Sequence, residues 1–448
     1  MTREYDIIII GGGNAGFGAS APLAEAGKRI AFIEELDFGG TCPNRGCTPK
    51  KVLVAAATSL DTIAKASAHG ISVGDVKLDW KALIERKNDM ISFIPGAMGD
   101  LAAKRGDVYR GHARFTGRNS VRVGDTELTA EHIIIATGSK TRPLPIPGAE
   151  LLMTSDEVLS DTHQPESVVF IGGGVIALEF SHVYARAGTQ VTILELAPQL
   201  LPRLDADAVA MLQAETERLG VEVHTGVGVN EVRRADDGLE VVFEKDGETI
   251  VLAAERVING AGRMANVDTL DLDKAGITHD GIRIEIHPHL QSTSNPAIWV
   301  AGDALVHTAQ LSPFATHEGQ IVARNILTGS TEAPDYFAVP NSVYTVPSFA
   351  SVGLTETQAQ ESIGNLRVAV NDMTGWLSGK SYAESLAWSK ILIDEDSDQI
   401  VGAHLLGHHA DDIIHILSFA MKHRVSVSEI ESTIFAYPSF SSDIKNLL

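Results

Sequence analysis

One short plan occurs twice in this chain, and that repetition limits the fold more than any other feature. Residues 5–10, Tyr-Asp-Ile-Ile-Ile-Ile, form an apolar run rich in β-branched side chains, the signature of a parallel strand buried on both faces. Gly11-Gly12-Gly13-Asn14-Ala15-Gly16 follows, then an alanine-rich helical stretch to about Gly27, then a strand over 29–33 that ends in Glu34. Strand, glycine turn, helix, strand and acid stand in the order that a dinucleotide-binding unit requires. Gly11 permits the tight turn, Gly13 the approach of a pyrophosphate and Gly16 close packing of helix on strand. Glu34 can accept hydrogen bonds from an adenosine ribose. The plan returns with a strand over 168–171, the turn Gly172-Gly173-Gly174-Val175-Ile176-Ala177, a helix to about Ala187, and a strand over 190–194 that ends in Glu195. Gly172, Gly174 and Ala177 take the places of Gly11, Gly13 and Gly16. One such fingerprint is weak; two, each with its strands, helix and acid, predict two dinucleotide sites on two Rossmann-like α/β domains.

A chain of 448 residues exceeds what a single core supports, so two to four domains are expected. Between the repeats, 133–135 reads as a strand that runs into Ala136-Thr137-Gly138-Ser139. A proline-rich stretch over 142–148 then suggests a crossing between domains. After the second repeat, 230–252 alternates like antiparallel strands. Residues 298–300 form another apolar strand, with Gly302-Asp303 at its carboxyl end, where such sheets bind ligands. From about Asp335 the character changes to strand-like segments over 338–344, 367–370, 390–394 and 400–406 and a helix over 411–423. This is α+β logic and a third domain.

Hydrophobic content of 44% is that of an ordinary soluble protein, and a net charge of −22 argues against nucleic acid and anionic membranes as partners. No apolar run reaches the ~18 residues needed to span a bilayer. Ile7–Ile10, preceded by Glu4 and Asp6, reads as a buried strand and not a signal peptide. A cytoplasmic protein is expected.

The chain has two cysteines, too few for a disulfide scaffold and wrongly spaced for structural zinc. They lie in Gly39-Gly40-Thr41-Cys42-Pro43-Asn44-Arg45-Gly46-Cys47-Thr48-Pro49-Lys50-Lys51. Pro49 with Thr48 as cap predicts a helix from Lys50 to about Ala68. Cys47 then sits at a helix N-terminus, where the dipole and unpaired N–H groups favour a thiolate. Lys50, Lys51 and Arg45 add positive charge, although Arg45 and Lys51 read equally well as solvated surface. Two unrelated thiols remain the plain alternative.

With these segments in order the chain resembles the flavoprotein disulfide reductases, the group that contains glutathione reductase and dihydrolipoamide dehydrogenase. The likeness covers nearly the whole length, and the Cys-x4-Cys segment with its trailing Pro-Lys-Lys looks closest to the glutathione reductases. It implies an FAD-binding domain from 1–148 and 268–335, an NAD(P)-binding domain from 149–267 and a dimerisation domain from 336–448. It implies that Cys47 faces the flavin as the charge-transfer thiolate and that Cys42 is the thiol that attacks the substrate. Gly11, Gly13, Gly16, Glu34 and Thr41 would hold the FAD adenosine and pyrophosphate, and Asp303 the ribityl chain, beside the Thr137-Gly138 turn. Glu179 falls where the family pairs a Glu with the Lys that here is Lys50. Electrons would pass from nicotinamide to flavin to disulfide, and then to a small-molecule disulfide, in a homodimer.

Glu195 suits free ribose hydroxyls and repels a 2′-phosphate, whereas glutathione reductases commonly carry Arg there. NADH is therefore expected over NADPH, with Arg203 or Arg263 the groups left to reach a phosphate. The family's C-terminal His-Pro-Thr segment, with a Glu five residues after the His, is altered. Tyr437 stands at the His position, Ser442 at the Glu position and Asp443 one beyond. A phenol of pKa about 10 is a poor proton carrier beside an imidazole of about 6.5. Tyr437 either donates a hydrogen bond to a leaving thiolate or merely packs. The substitution keeps open a second reading, a flavin enzyme that reduces a metal ion, quinone or oxidant with the disulfide as relay. A third, a lipoamide-type subunit of a multienzyme complex, is weakened by the loss of the His–Glu pair. His408-His409 with Asp411-Asp412 could invite a metal but read better as a solvated loop and helix start, so no metal is expected. His317 is a further candidate near the flavin.

Overall fold

A computed structural model describes residues 2–306 and 310–448. The chain packs into two compact units, Met1–Lys50 with Glu85–Arg142 and Arg263–Asp335, and Lys51–Ile84 with Pro143–Gly262 and Tyr336–Leu448.

In the first unit five parallel strands lie in the order Asp107–Arg110, Ile30–Glu34, Thr2–Ile10, Thr126–Ile135 and Ile298–Val300. The isoleucine run explains the middle strand, since Ile7, Ile8 and Ile9 are fully buried and Ile10 nearly so. Residues that are apolar on every side suit only a strand covered on both faces. The long strand Thr126–Ile135 also pairs at its start with Ser120–Val123, which pairs with Ala113–Gly117, as an antiparallel meander. The sequence reading did not anticipate this meander, nor the helices Trp80–Ile91 and Ile94–Arg105.

The second unit holds a parallel sheet in the order Glu222–Thr225, Gln190–Glu195, Ser167–Ile171 and Arg256–Asn259. The alternating stretch expected over 230–252 is three antiparallel strands, Gly228–Ala235, Gly238–Lys245 and Glu248–Ala254. A five-stranded antiparallel sheet, in the order Asn341–Val343, Ser348–Gly353, Gln399–Gly407, Trp388–Asp394 and Leu366–Asp372, carries helix Ala410–Lys422. The strand expected over 338–344 is shorter than read, and Ser348–Gly353, directly after Pro347, went unread. The parallel sheets, the antiparallel sheet and their helices make the chain an α/β fold of two Rossmann-like units with a C-terminal α+β region.

The two glycine turns are twins in three dimensions. Gly11 has φ +110° and Gly172 φ +104°, in the left-handed half of the map that other residues avoid. A Cβ on Gly11 would stand 2.2 Å from Ala136 O, and one on Gly172 2.6 Å from the backbone of Gly260. In each case the helix that follows, Asn14–Glu25 or Val175–Ala187, starts from a glycine that offers no side-chain cap. The first-turn N–H groups are thus left to an anion.

Candidate active site: a cysteine pair and two dinucleotide turns

Cys42 lies on the short helix Thr41–Arg45, and Cys47 is the first residue of helix Cys47–Ala64. The helix therefore begins three residues before the expected start and ends four before the expected end, with Cys47 where Thr48 was read as cap. Gly46 makes the abrupt re-entry possible: a Cβ there would sit 3.0 Å from Thr41 O and 3.2 Å from Cys42 Cα. The side chain of Asn44 braces the loop through Phe38 O at 3.0 Å and Gly40 O at 2.9 Å. Both cysteines are thiols, Cys42 half-buried and Cys47 exposed.

The two sulfurs are electrostatically unequal. A hydrogen bond from Cys42 is the main cause that lowers the Cys47 thiol to about 6, with Ser312 and the Lys50 charge acting in the same direction against burial. The same hydrogen bond, with burial, pushes Cys42 up. The pair thus holds its proton on Cys42 and its charge on Cys47. Ser312 Oγ stands 3.5 Å from Cys47 Sγ. Among the nearby cations, Lys50 acts on the thiol. Arg45 pairs with Asp37 at 2.8 Å. Lys51 turns to Asp411 at 3.3 Å, with its Nζ 3.8 Å from the Tyr344 ring centroid.

Around the first turn, Glu34 Oε2 accepts from Gly12 N at 2.6 Å and Oε1 from Leu36 N at 2.7 Å. Around the second, Glu195 Oε2 accepts from Gly173 N at 2.5 Å and Oε1 from Ala197 N at 2.6 Å. A carboxylate has about four acceptor sites, so each acid clamps its own turn and keeps capacity for ribose hydroxyls. Thr41 opens the short cysteine helix. Thr137 Oγ1, beside the left-handed Gly138, is buried and has no hydrogen-bond partner among the described residues. Asp303 follows strand Ile298–Val300 and accepts from Ser139 Oγ at 3.0 Å. Burial raises its carboxyl, against the Ser139 hydrogen bond. Arg263 donates to Ser139 Oγ at 2.9 Å and Ser139 O at 2.6 Å.

An orphaned buried hydroxyl, an uncapped helix start, a ribose acceptor and a half-buried carboxylate at the sheet's carboxyl edge fit the polar parts of FAD. The second turn, with Gly174, Ala177 and Glu195, offers the same acceptors and amides to a second dinucleotide.

In the second unit Glu179 is buried, and its Oε1 accepts from Tyr344 N at 2.8 Å. Tyr437 is 76% exposed and Ile434 93%. Arg203 is exposed. His317 contacts the Phe314 ring, and His408 lies between Tyr382 and Phe440 with Glu384 at 3.5 Å. Ser312, Ser139 and Tyr344 were missed in the sequence. Only Ser312-Pro313, a helix-start pair, carried a local signal.

Two dinucleotide turns and an asymmetric cysteine pair define the class as an oxidoreductase with two nucleotide cofactors and a thiol redox centre. The family model described as pyridine nucleotide-disulphide oxidoreductase matches residues 5–319, and that of the family's dimerisation domain matches 339–448. This chain belongs to that family, whose members depend on FAD and NAD(P), and it is a flavoprotein disulfide oxidoreductase. A dihydrolipoyl dehydrogenase of Bacillus subtilis is 31% identical over 99% of this chain and 97% of its own length. A glutathione reductase of Burkholderia cepacia is 30% identical over 99% and 98%. Among solved structures, the HOCl-induced flavoprotein disulfide reductase RclA from Escherichia coli superposes with a TM-score of 0.87 at 28% identity, covering 99% of each chain. Its Cu(II) complex gives 0.88.

Proposed function

We propose that this enzyme passes electrons from NADH through FAD to the Cys42–Cys47 pair and on to a small-molecule disulfide. The observation that carries this reading is the asymmetry of the pair, a thiolate-prone Cys47 beside a proton-bearing Cys42. Bound FAD would supply the two-electron relay between nicotinamide and sulfur. The first unit's turn, with Gly11, Gly13, Gly16, Glu34, Thr41, Thr137, Gly138 and Asp303, would hold FAD. Arg263 would brace Asp303 through Ser139. Gly172, Gly174, Ala177 and Glu195 would hold NADH, and Lys50 and Glu179 would each serve as catalytic residues. In domain terms, 1–148 and 268–335 bind FAD, 149–267 bind NADH and 336–448 dimerise.

Reduction of the pair breaks its S–S bond, leaves the charge on Cys47 and puts a proton on Cys42. Attack by Cys42 on a substrate disulfide then breaks the substrate S–S bond, forms a mixed disulfide and passes the Cys42 proton to the departing sulfur. Cys47 then displaces the second thiolate and restores the pair. Tyr437 is ill suited to relay the proton. Tyr437 would instead donate a hydrogen bond to the departing thiolate. The exposed Tyr437 and Ile434 and the dimerisation-domain match support a homodimer. A reducing cytoplasm suits a catalytic dithiol, and no described helix is long and apolar enough to cross a membrane.

A second reading, electron delivery to a metal ion or other oxidant, is favoured by the same Tyr437 and by the Cu(II) complex of the structural relative. One assay separates them: purified enzyme with NADH or NADPH against a panel of disulfides, quinones and Cu(II) salts. Cysteine-dependent turnover of a disulfide supports the first reading. Turnover of metal or quinone alone overturns it in favour of the second.

A further inference from the structure

We propose that the Ser312 hydroxyl donates the hydrogen bond that holds the Cys47 sulfur as a thiolate once the cysteine pair is reduced. The inference rests on the cysteine pair as redox centre and adds a residue to its chemistry.

Ser312 Oγ lies 3.5 Å from Cys47 Sγ, a hydrogen-bonding separation for the large sulfur atom. A thiolate carries no proton, so in that pair the hydroxyl must be the donor. The same hydroxyl also reaches Cys42, which the Cys47 hydrogen bond and burial raise and the Ser312 hydrogen bond lowers. Ser312 is the first residue of helix Ser312–Thr328, and Leu311 occupies the cap position, with no side-chain cap bond. A serine at a helix start ordinarily serves as the cap itself; here the hydroxyl faces the sulfur.

The helix is fixed independently of that contact. Ser312 O accepts from Asn14 Nδ2 at 3.2 Å, inside the first glycine turn, and from Thr316 Oγ1 at 3.2 Å. One turn further, the buried Glu318 accepts from Gly302 N at 2.7 Å. Gly319 lies so close to helix Asn14–Glu25 that a Cβ would stand 2.1 Å from Ala15 O. The hydroxyl is thus pre-positioned by the dinucleotide-binding helix itself, and Cys47 sits between two helix N-termini, its own and that of Ser312. Both favour negative charge on the sulfur. The groups acting on Cys47 are then Cys42, which donates from the preceding short helix, Lys50 on its own helix, and Ser312 opposite.

The test uses the flavin-loaded enzyme after reduction, with the rate of Cys47 alkylation followed against pH by peptide mass spectrometry. Ser312→Ala should raise the midpoint of that profile by about one pH unit, the effect of one lost hydrogen bond to a charged group. Ser312→Thr keeps the hydroxyl and Ser312→Val removes it at nearly equal volume, so their midpoints should differ by about the same amount. Equal midpoints for Thr and Val, or an unmoved midpoint in Ala with flavin content retained, overturn the proposal. A wild-type enzyme in which the Cys47 midpoint is no lower than that of Cys42 defeats the underlying reading instead, so the two failures are distinct.

Discussion

Replacing Glu195 by Gln removes one charge from the second nucleotide turn and changes almost no volume. In the wild-type chain the carboxylate holds Gly173 N and Ala197 N at 2.5 and 2.6 Å. Two like unit charges about 5 Å apart at an effective dielectric near 20 repel by roughly 3 kcal/mol. Partial exposure and salt reduce this to about 2 kcal/mol for a bound 2′-phosphate. Loss of the charge should therefore improve kcat/KM for NADPH about 30-fold. On the NADH side the Gln amide must set its NH2 against one of the two N–H donors, at about 1 kcal/mol, so kcat/KM for NADH should fall about fivefold. The NADH-to-NADPH ratio, measured by steady-state kinetics on one acceptor, should drop about 150-fold. A ratio that moves less than about threefold, or a wild-type enzyme that already prefers NADPH, would refute the reasoning and direct attention to Arg203.

Thr137→Val should weaken FAD binding about tenfold, because it removes the unpartnered buried hydroxyl, while the thermal stability of flavin-free protein stays level or rises. Gly172→Ala puts a Cβ 2.6 Å from the Gly260 backbone at φ +104°, so NADH titration should show lost binding while the flavin spectrum persists. Lys390, buried among Asp205 at 3.0 Å, Asp207 at 2.6 Å and Glu356 at 2.6 Å, ties the second nucleotide sheet to the C-terminal sheet. Lys390→Met should cost about 3–5 kcal/mol at pH 7, because Asp205 is left charged and buried, as denaturant unfolding would show. Burial alone would raise Asp205, but the Glu356 amide, His404 and Lys390 together hold it below 3.8. A depressed carboxylate contributes above its unfolded value, so the gap between wild type and variant should narrow as pH falls through and below 3.8.

The elements legible in the sequence were those whose signal is local. Gly11 to Glu34 and Gly172 to Glu195 were readable because strand, turn and helix follow one another and each acid closes its own turn. Even the bond from Gly12 N to Glu34 spans one such unit. The Cys42–Cys47 loop was readable for the same reason. Its detail was not: the re-entry at Gly46 depends on contact with Thr41 O, so the helix start fell three residues late. Arg45 and Lys51 were counted toward the thiols by sequence nearness. Their partners are Asp37, eight residues away, and Asp411, 360 away. Ser312 and Tyr344 reach Cys47 and Glu179 only through folding, with sequence separations of 265 and 165. No periodicity encodes such pairings. The strand Ser348–Gly353 follows directly on Pro347, a local turn signal, and is fixed by pairing with Asn341–Val343 on one side and Gln399–Gly407 on the other.

The central claim is that electrons reach the Cys42–Cys47 pair and do not stop at the flavin. Anaerobic reductive titration tests it directly, by counting electrons per subunit in wild type and in Cys42→Ser. The account predicts about two more electrons for the wild type, the capacity of one disulfide, with the variant retaining flavin and its reduction by NADH. Equal electron counts in the two proteins, with full acceptor turnover by the variant, would contradict it.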